Sequence, residues 1–186
     1  MNVVQPIRER EKLEELKEEL MKKGTRNYML FYTGINSGMR VSDIVKLKKD
    51  DIRNSDNSMK KHITVIEKKT GKSKRFPLCN GLLVEMEKYT RNMELGEYLF
   101  KSRKGDNTPI TTVQAYRIIN ESSKNIGLDE IGTHTMRKTF GYFHYKQYKD
   151  VAILQEIFNH SAPSVTLRYI GINQDEIDDS YKNFRL

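Results

Sequence analysis

Tryptophan is missing from the 186 residues, and cysteine occurs once, at Cys79. One thiol cannot close an internal disulfide, and a structural zinc site built on thiolates is excluded with it. Cys79 is expected to be a small, partly buried apolar side chain rather than a reactive thiol. No apolar run approaches the ~20 residues that span a bilayer, and the opening MNVVQPIREREK has no secretory hydrophobic stretch. No membrane association is expected, and the expected location is cytoplasmic. Nucleotide and hydrolase signatures are missing too: there is no GxxxxGK[ST], no GxGxxG after a strand, no HExxH and no GxSxG. His62, His134, His144 and His160 have no neighbouring carboxylates at metal-ligand spacing. The expectation is a chemistry that uses no metal, no ATP and no other cofactor. Without tryptophan or a Phe/Tyr-rich β pattern, a platform for stacking single-stranded bases is also disfavoured.

Positive charge is abundant. The formal net charge is +8, with 33 Lys and Arg against 25 Asp and Glu. Such an excess favours polyanionic partners, nucleic acid first among them, and here points to duplex backbone contacts. Hydrophobic residues at 37% and charged residues at 31% suit one folded domain with its own core, neither disordered nor membrane-embedded.

Hydrophobic periodicity supplies the elements. From Pro6 to Gly24, Ile7, Leu13, Leu16 and Leu20 recur at helical spacing, with Pro6 suited to a first turn and Gly24 to a cap. The segment YMLFYTGIN reads as a buried helix ending at Ser37 and Gly38. Ser42 then caps a short helix whose inward side is Ile44, Val45 and Leu47. HITVIEKKTGKSKRFPL, from His62 to Leu78, alternates apolar and polar residues around Thr70 and Gly71 and reads as a β-hairpin. Helical patterns resume in GLLVEMEKYTRNM, TPITTVQAYRIINESSKNIG, THTMRKTFGYFHYKQ and DVAILQEIFNH. The last is capped by Asp150 and striped by Ile153, Leu154, Ile157 and Phe158, and a break follows from Ser161 to Pro163. A final helix, Asp175 to Phe184, places Ile177, Tyr181 and Phe184 on one face and acidic residues in its first turn, where the dipole favours them. The predicted fold class is α+β, mainly α-helical, with a small antiparallel β-hairpin.

The chemistry-bearing residues sit where these helices begin and end. Arg40 follows a glycine turn, with Asp43 three residues on. In THTMRK, His134 and Arg137 are spaced i, i+3 and share a helix face. His160 ends an apolar helix, and Tyr169 follows it by nine residues. Each piece alone is common: Arg and Asp as a surface pair, a helix-terminal histidine on a dipole, a tyrosine in packing.

Together, GINSGMRVSDIVKLKKDDI, EKKTGKSKRFPL, THTMRKTFGYFHYKQ and DVAILQEIFNHSAPSVTLRYIGI resemble the catalytic domain of the tyrosine recombinase (phage integrase) family, over nearly the whole chain to Tyr169. The resemblance implies an enzyme that cleaves and rejoins duplex DNA through a 3′-phosphotyrosyl link. It assigns Arg40 and Arg137 to the phosphate clamp, since guanidiniums stay charged and fork onto phosphate oxygens. Tyr169 is then the nucleophile, with an ordinary pKa of ~10 that calls for a proton acceptor or hydrogen-bond partner, for which His134 stands nearest in role. His160 donates to a non-bridging oxygen. Lys69 protonates the leaving 5′-oxygen, chosen over Lys68, Lys72 and Lys74 only by its KTG context. Asp43 matches the acidic residue kept beside the first arginine, and Thr70, Lys72, Lys74 and Lys138 fall among the DNA-binding positions. Lys138 departs from the histidine frequent at that position.

The same resemblance implies an N-terminal helical clamping domain ahead of the catalytic one; residues 1–186 are expected to be the catalytic domain alone. The C-terminal helix either packs on its own domain or docks on a neighbouring copy on DNA. Two other readings stand beside strand exchange: a DNA-binding accessory or regulatory module without recombination activity, and relaxation of supercoils in the manner of type IB topoisomerases.

Overall fold

Leu13, Leu16 and Leu20 line one side of α1 (Arg10–Lys22) and all three are buried, as their spacing predicts. A computed structural model describes residues 4–66, 73–172, 180–182 and 184. After Gly24 comes α2 (Thr25–Ser37), which ends on Gly38 in the left-handed conformation, φ 64°. That turn needs glycine: positive φ is cheap without a Cβ, and a Cβ here would sit 2.6 Å from the Phe140 ring. Two short helices follow, α3 (Val41–Ile44) and α4 (Lys49–Ile52).

The hairpin pairs β1 (His62–Ile66) with β2 (Ser73–Pro77) antiparallel, from His62 opposite Pro77 to Ile66 opposite Ser73. Ile63 and Phe76 face each other across it and both are buried. Residues 67–72, Lys69, Thr70 and Lys72 among them, lie outside the described residues. Next come α5 (Asn80–Thr90) and α6 (Thr112–Asn125). Thr111 and Gln114 close a reciprocal capping box on α6, with N–H···O distances of 3.1 and 2.8 Å. The chain then runs through α7 (Thr133–Tyr148), α8 (Val151–Phe158) and α9 (Pro163–Tyr169). Asp150 caps α8 as expected, its carboxylate accepting from the Ala152 and Ile153 N–H groups.

Three apolar clusters share these elements. One joins α2, the short helices, the hairpin and α5; a second joins α1, α2, α6 and α7; a third joins α7, α8 and α9. The third cluster is tight at Gly141, where a Cβ would lie 2.6 Å from Ile170 Cγ2 and 2.7 Å from the Phe158 ring. Helix α7 thus runs between the second and third clusters, and its first turns carry His134 and Arg137.

Several expectations are corrected. Helix α1 starts at Arg10, not Pro6, because the preceding backbone is engaged elsewhere: Gln5 N–H donates to Glu130 O and Ile7 N–H to Thr139 Oγ1. Ser42 does not cap α3; Arg40 occupies the N-cap and its side chain does not cap the helix, and the Ser42 hydroxyl turns to Asp43 Oδ1 at 3.4 Å. Cys79 is exposed, since it stands at the head of α5 rather than on its inner face. Ile153 is 49% exposed although Leu154 and Phe158 on the same helix are buried. The expected break is present at Ser161 and Ala162, but Pro163 lies beyond it as the first residue of α9, where its missing N–H has no partner to lose. Most of the expected C-terminal helix lies outside the described residues, Ile177 included; Tyr181 and Phe184 are described and exposed. Among the described residues no helix is long and apolar enough to cross a membrane.

Candidate active site around Tyr169

The i, i+3 spacing puts His134 and Arg137 on one face of α7, toward the Gly38 turn and the end of α8. Arg137 is only 4% exposed. Its Nη1 donates to the Gly38 carbonyl, its Nη2 to the Phe158 carbonyl at 3.0 Å, and the Phe158 ring lies 4.4 Å away. Burial brings its pKa down to about 10, an effect that the nearby Tyr169 opposes, so the guanidinium stays charged at neutral pH. The same side chain thereby ties together the turn that presents Arg40 and the helix end that presents His160.

Arg40 is exposed, at the N-cap of α3, where its carbonyl accepts from the Asp43 and Ile44 N–H groups at 2.9 and 3.0 Å. Its positive charge is felt at His134, Arg137, His160 and Tyr169. Asp43 supplies an opposing charge to Arg137.

His160 leaves α8 through Asn159, a left-handed residue at φ 55°. The His160 Nδ1 lies 3.0 Å from the hydroxyl of buried Thr166, and its ring stands edge-on to Tyr169 with centroids 5.0 Å apart. Burial first, then Arg137, Arg40 and Lys74, hold its pKa below the usual histidine range.

Tyr169 is the last residue of α9, half-buried. Its hydroxyl lies 3.4 Å from His134 Nδ1 and against the Arg137 guanidinium, while its ring packs edge-on to Phe158 at 5.4 Å. Burial raises its pKa, with Arg137 and Arg40 working against the rise. His134 is accessible as a whole, yet partial desolvation of its ring, then the charges of Lys138, Arg137 and Arg40, lower its pKa. The resting site therefore pairs a protonated phenol with a neutral imidazole.

Two lysines turn inward. The Lys138 ammonium donates to the Val4 carbonyl at 2.7 Å and lies 5.2 Å from the Tyr169 ring centroid. The Lys74 ammonium donates to the Ile157 and Glu156 carbonyls at 2.6 and 3.2 Å, a cation on the C-terminal end of α8. The structure thus brings Arg40, Asp43, His134, Arg137, His160 and Tyr169 together, with Lys74 and Lys138 behind them. Lys69, Thr70 and Lys72 are outside the described residues. Sequence reasoning missed Thr166, Phe158 and the Gly38 carbonyl. Thr166 stands one turn before Tyr169, but nothing in its residue type marks it, and Phe158 reads only as part of a stripe. Among the described residues no group of three or more His, Cys, Asp and Glu side chains is placed to hold a metal ion.

An imidazole and a guanidinium at one tyrosine hydroxyl, with a second imidazole against the tyrosine ring and a second guanidinium within electrostatic reach, can serve phosphoryl transfer through a tyrosyl intermediate. Comparison with known proteins agrees: the phage integrase family model matches residues 8–176, and the chain belongs to that family, the tyrosine recombinases. Among curated relatives, "Probable integrase/recombinase YoeC" of Bacillus subtilis is 48% identical over 99% of this chain and 98% of its own length. "Tyrosine recombinase XerA" of Pyrococcus furiosus is 26% identical over 95% of this chain, which spans 60% of that protein. Among solved structures, XerA recombinase superimposes with a TM-score of 0.77 at 20% identity, covering 99% of this chain and 67% of that one. XerH site-specific recombinase bound to its difH substrate, in a pre-cleavage complex, gives 0.70 at 17% identity, covering 99% and 55%. These structures share the mainly helical fold with its small antiparallel hairpin.

Proposed function

We propose that this protein is a site-specific DNA recombinase or integrase that cleaves and rejoins duplex DNA with Tyr169 as nucleophile. The observation that carries the reading is the placement of the Tyr169 hydroxyl between His134 and the Arg137 guanidinium. In cleavage, Tyr169 Oη attacks the phosphorus and its proton passes to His134 Nδ1, the unprotonated acceptor of a neutral imidazole. Charge growing on the non-bridging oxygens is met by Arg40 and Arg137. His160 helps as well: if the Thr166 hydroxyl donates to Nδ1, the ring proton sits on Nε2 and faces the phosphate. The bond from phosphorus to the 5′-oxygen breaks, and that oxygen takes a proton from Lys69. One phosphoester replaces another, so rejoining is the same sequence reversed and needs no ATP.

Double-stranded DNA is the proposed partner. The Thr70, Lys72, Lys74 and Lys138 positions are proposed contacts, although a phosphate reaching Lys74 or Lys138 must compete with the carbonyls those ammonium groups now hold. The exposed Tyr181 and Phe184 support docking of the C-terminal segment on a second copy assembled on DNA. Covalent trapping tests the main reading: the protein is incubated with nicked duplex DNA, quenched in detergent and run on a denaturing gel. A protein–DNA adduct that Tyr169→Phe abolishes is expected; binding without any adduct would leave a DNA-binding accessory role instead. Affinity should fall with salt at a log-log slope of ~0.9 per phosphate neutralised.

A further inference from the structure

One anchor of the nucleophile's helix comes from the opposite end of the chain. Residues 4–8, outside any helix or strand, cross α7 as a strap. Ile7 N–H donates to Thr139 Oγ1 at 2.9 Å, Gln5 N–H to Glu130 O at 3.2 Å, and the Val4 carbonyl accepts from Lys138 at 2.7 Å. The strap ends at Arg8, whose Nη2 donates to the Gly171 carbonyl at 3.0 Å, two residues past Tyr169, with the guanidinium 5.8 Å from the Tyr142 ring centroid. Two strap contacts therefore bear on one segment. Lys138, pinned to Val4, lies against the Tyr169 ring, and Arg8 holds the backbone on which α9 exits.

Helix α9 has seven residues, well below the ~12–15 at which an isolated helix is even marginal in water. Its position is set by what it is tied to: buried Thr166 and Ile170 on the inside and Arg8 at its exit. We propose that Arg8 is a positioning residue for Tyr169, a clasp from the N-terminal strap that keeps the hydroxyl between His134 and Arg137. The proposal rests on the reading of Tyr169 as nucleophile and extends the reaction's requirements to a residue some distance from the phosphate site. A displacement of ~1 Å at a reacting atom is enough to cost about a hundredfold in rate.

The test compares Arg8→Ala and Arg8→Lys with Arg10→Ala, which removes an equal charge from the neighbouring helix, where Arg10 lies over Phe143. Three quantities are read: single-turnover adduct formation on nicked duplex, DNA affinity in the same salt, and the fluorine NMR signal of 3-fluorotyrosine placed at position 169. Arg8→Ala should form adduct roughly ten- to a hundredfold more slowly while its affinity changes no more than that of Arg10→Ala. Arg8→Lys should recover part of the rate, since an ammonium can also donate to the carbonyl. The fluorine signal should move or broaden in Arg8→Ala and stay put in Arg10→Ala. Wild-type cleavage by Arg8→Ala, a rate loss matched by an affinity loss, or an unmoved fluorine signal would each overturn the clasp. With no adduct even from the wild type, the nucleophile reading falls, and the fluorine signal alone decides whether Arg8 holds Tyr169.

Discussion

Arg137 and Arg40 carry the same guanidinium and the same expected task, yet the protein holds them in opposite ways. Arg137 is buried between two backbone carbonyls and over an aromatic ring. Arg40 stands exposed at the head of a four-residue helix. A buried guanidinium is costly to desolvate and tolerable only when its donors are met; Arg137 meets that condition with the Gly38 and Phe158 carbonyls, which are also the supports of Arg40 and His160. Arg137 is therefore part of the scaffold as well as of the proposed chemistry, whereas Arg40 is presented at the surface for the same proposed task.

The sharpest way to break this contrast is to remove each. Arg137→Ala orphans two carbonyls and should lower stability by about 3 kcal/mol together with loss of adduct formation. Arg40→Ala should slow adduct formation by roughly a hundred- to a thousandfold with stability within about 0.5 kcal/mol of wild type. Urea unfolding alongside the trapping assay separates the two, and equal stability losses would sink the distinction.

Gly141→Ala probes the same scaffold without touching a charge. Its Cβ would press on Ile170 and Phe158, displacing the carbonyl that Arg137 holds, for about 1–3 kcal/mol of overpacking. Thermal melts should show the loss, with adduct formation falling too.

Thr166→Val keeps the shape and removes the hydroxyl beside His160 Nδ1. A loss of about 1 kcal/mol is expected, and the cleavage rate should fall more than DNA affinity does.

The smallest effect is one of pH. His134, His144 and His160 are all held below the usual histidine range, chiefly by burial. The unfolded chain binds their protons more readily. Stability is therefore complete above about pH 6.5 and declines as pH falls from there toward the lowered folded values. Glu19, Asp56 and Glu97 are held below the ordinary carboxylate range by hydrogen bonds, so melts between pH 6.5 and 5 read the histidines. In Arg40→Ala the decline should be shallower, because one cation that disfavours protonation of His134 and His160 is gone; an unchanged slope would mean that Arg40 does not act on them.

Much of the molecule could be read before it was folded. The leucine stripe of α1, the glycine stop of α2, the alternation of the hairpin and the Asp150 cap follow from local rules of periodicity and backbone geometry, which neighbouring residues enforce alone. Arg40, His134, Arg137, His160 and Tyr169 stood out because their residue types carry the chemistry and their order carries the family resemblance.

Contacts between residues far apart in the chain escaped that reading. Pro6 could have begun a helix, but Thr139 and Glu130 take the backbone N–H groups around it. Pro163, read as a break, begins α9, because proline suits a first turn as well as it ends a preceding one. Lys74 and Lys138 have the composition of surface cations, yet their ammonium groups close on carbonyls 83 and 134 residues away in sequence. Local pattern settled the longer helices and the paired strands, though not the short α4 and α9, and it marked the side chains suited to phosphoryl transfer. Folding alone settled which of two like arginines is buried, which threonine meets His160 and what holds Tyr169 in place, because hydrogen bonds and desolvation depend on partners that no sequence window contains.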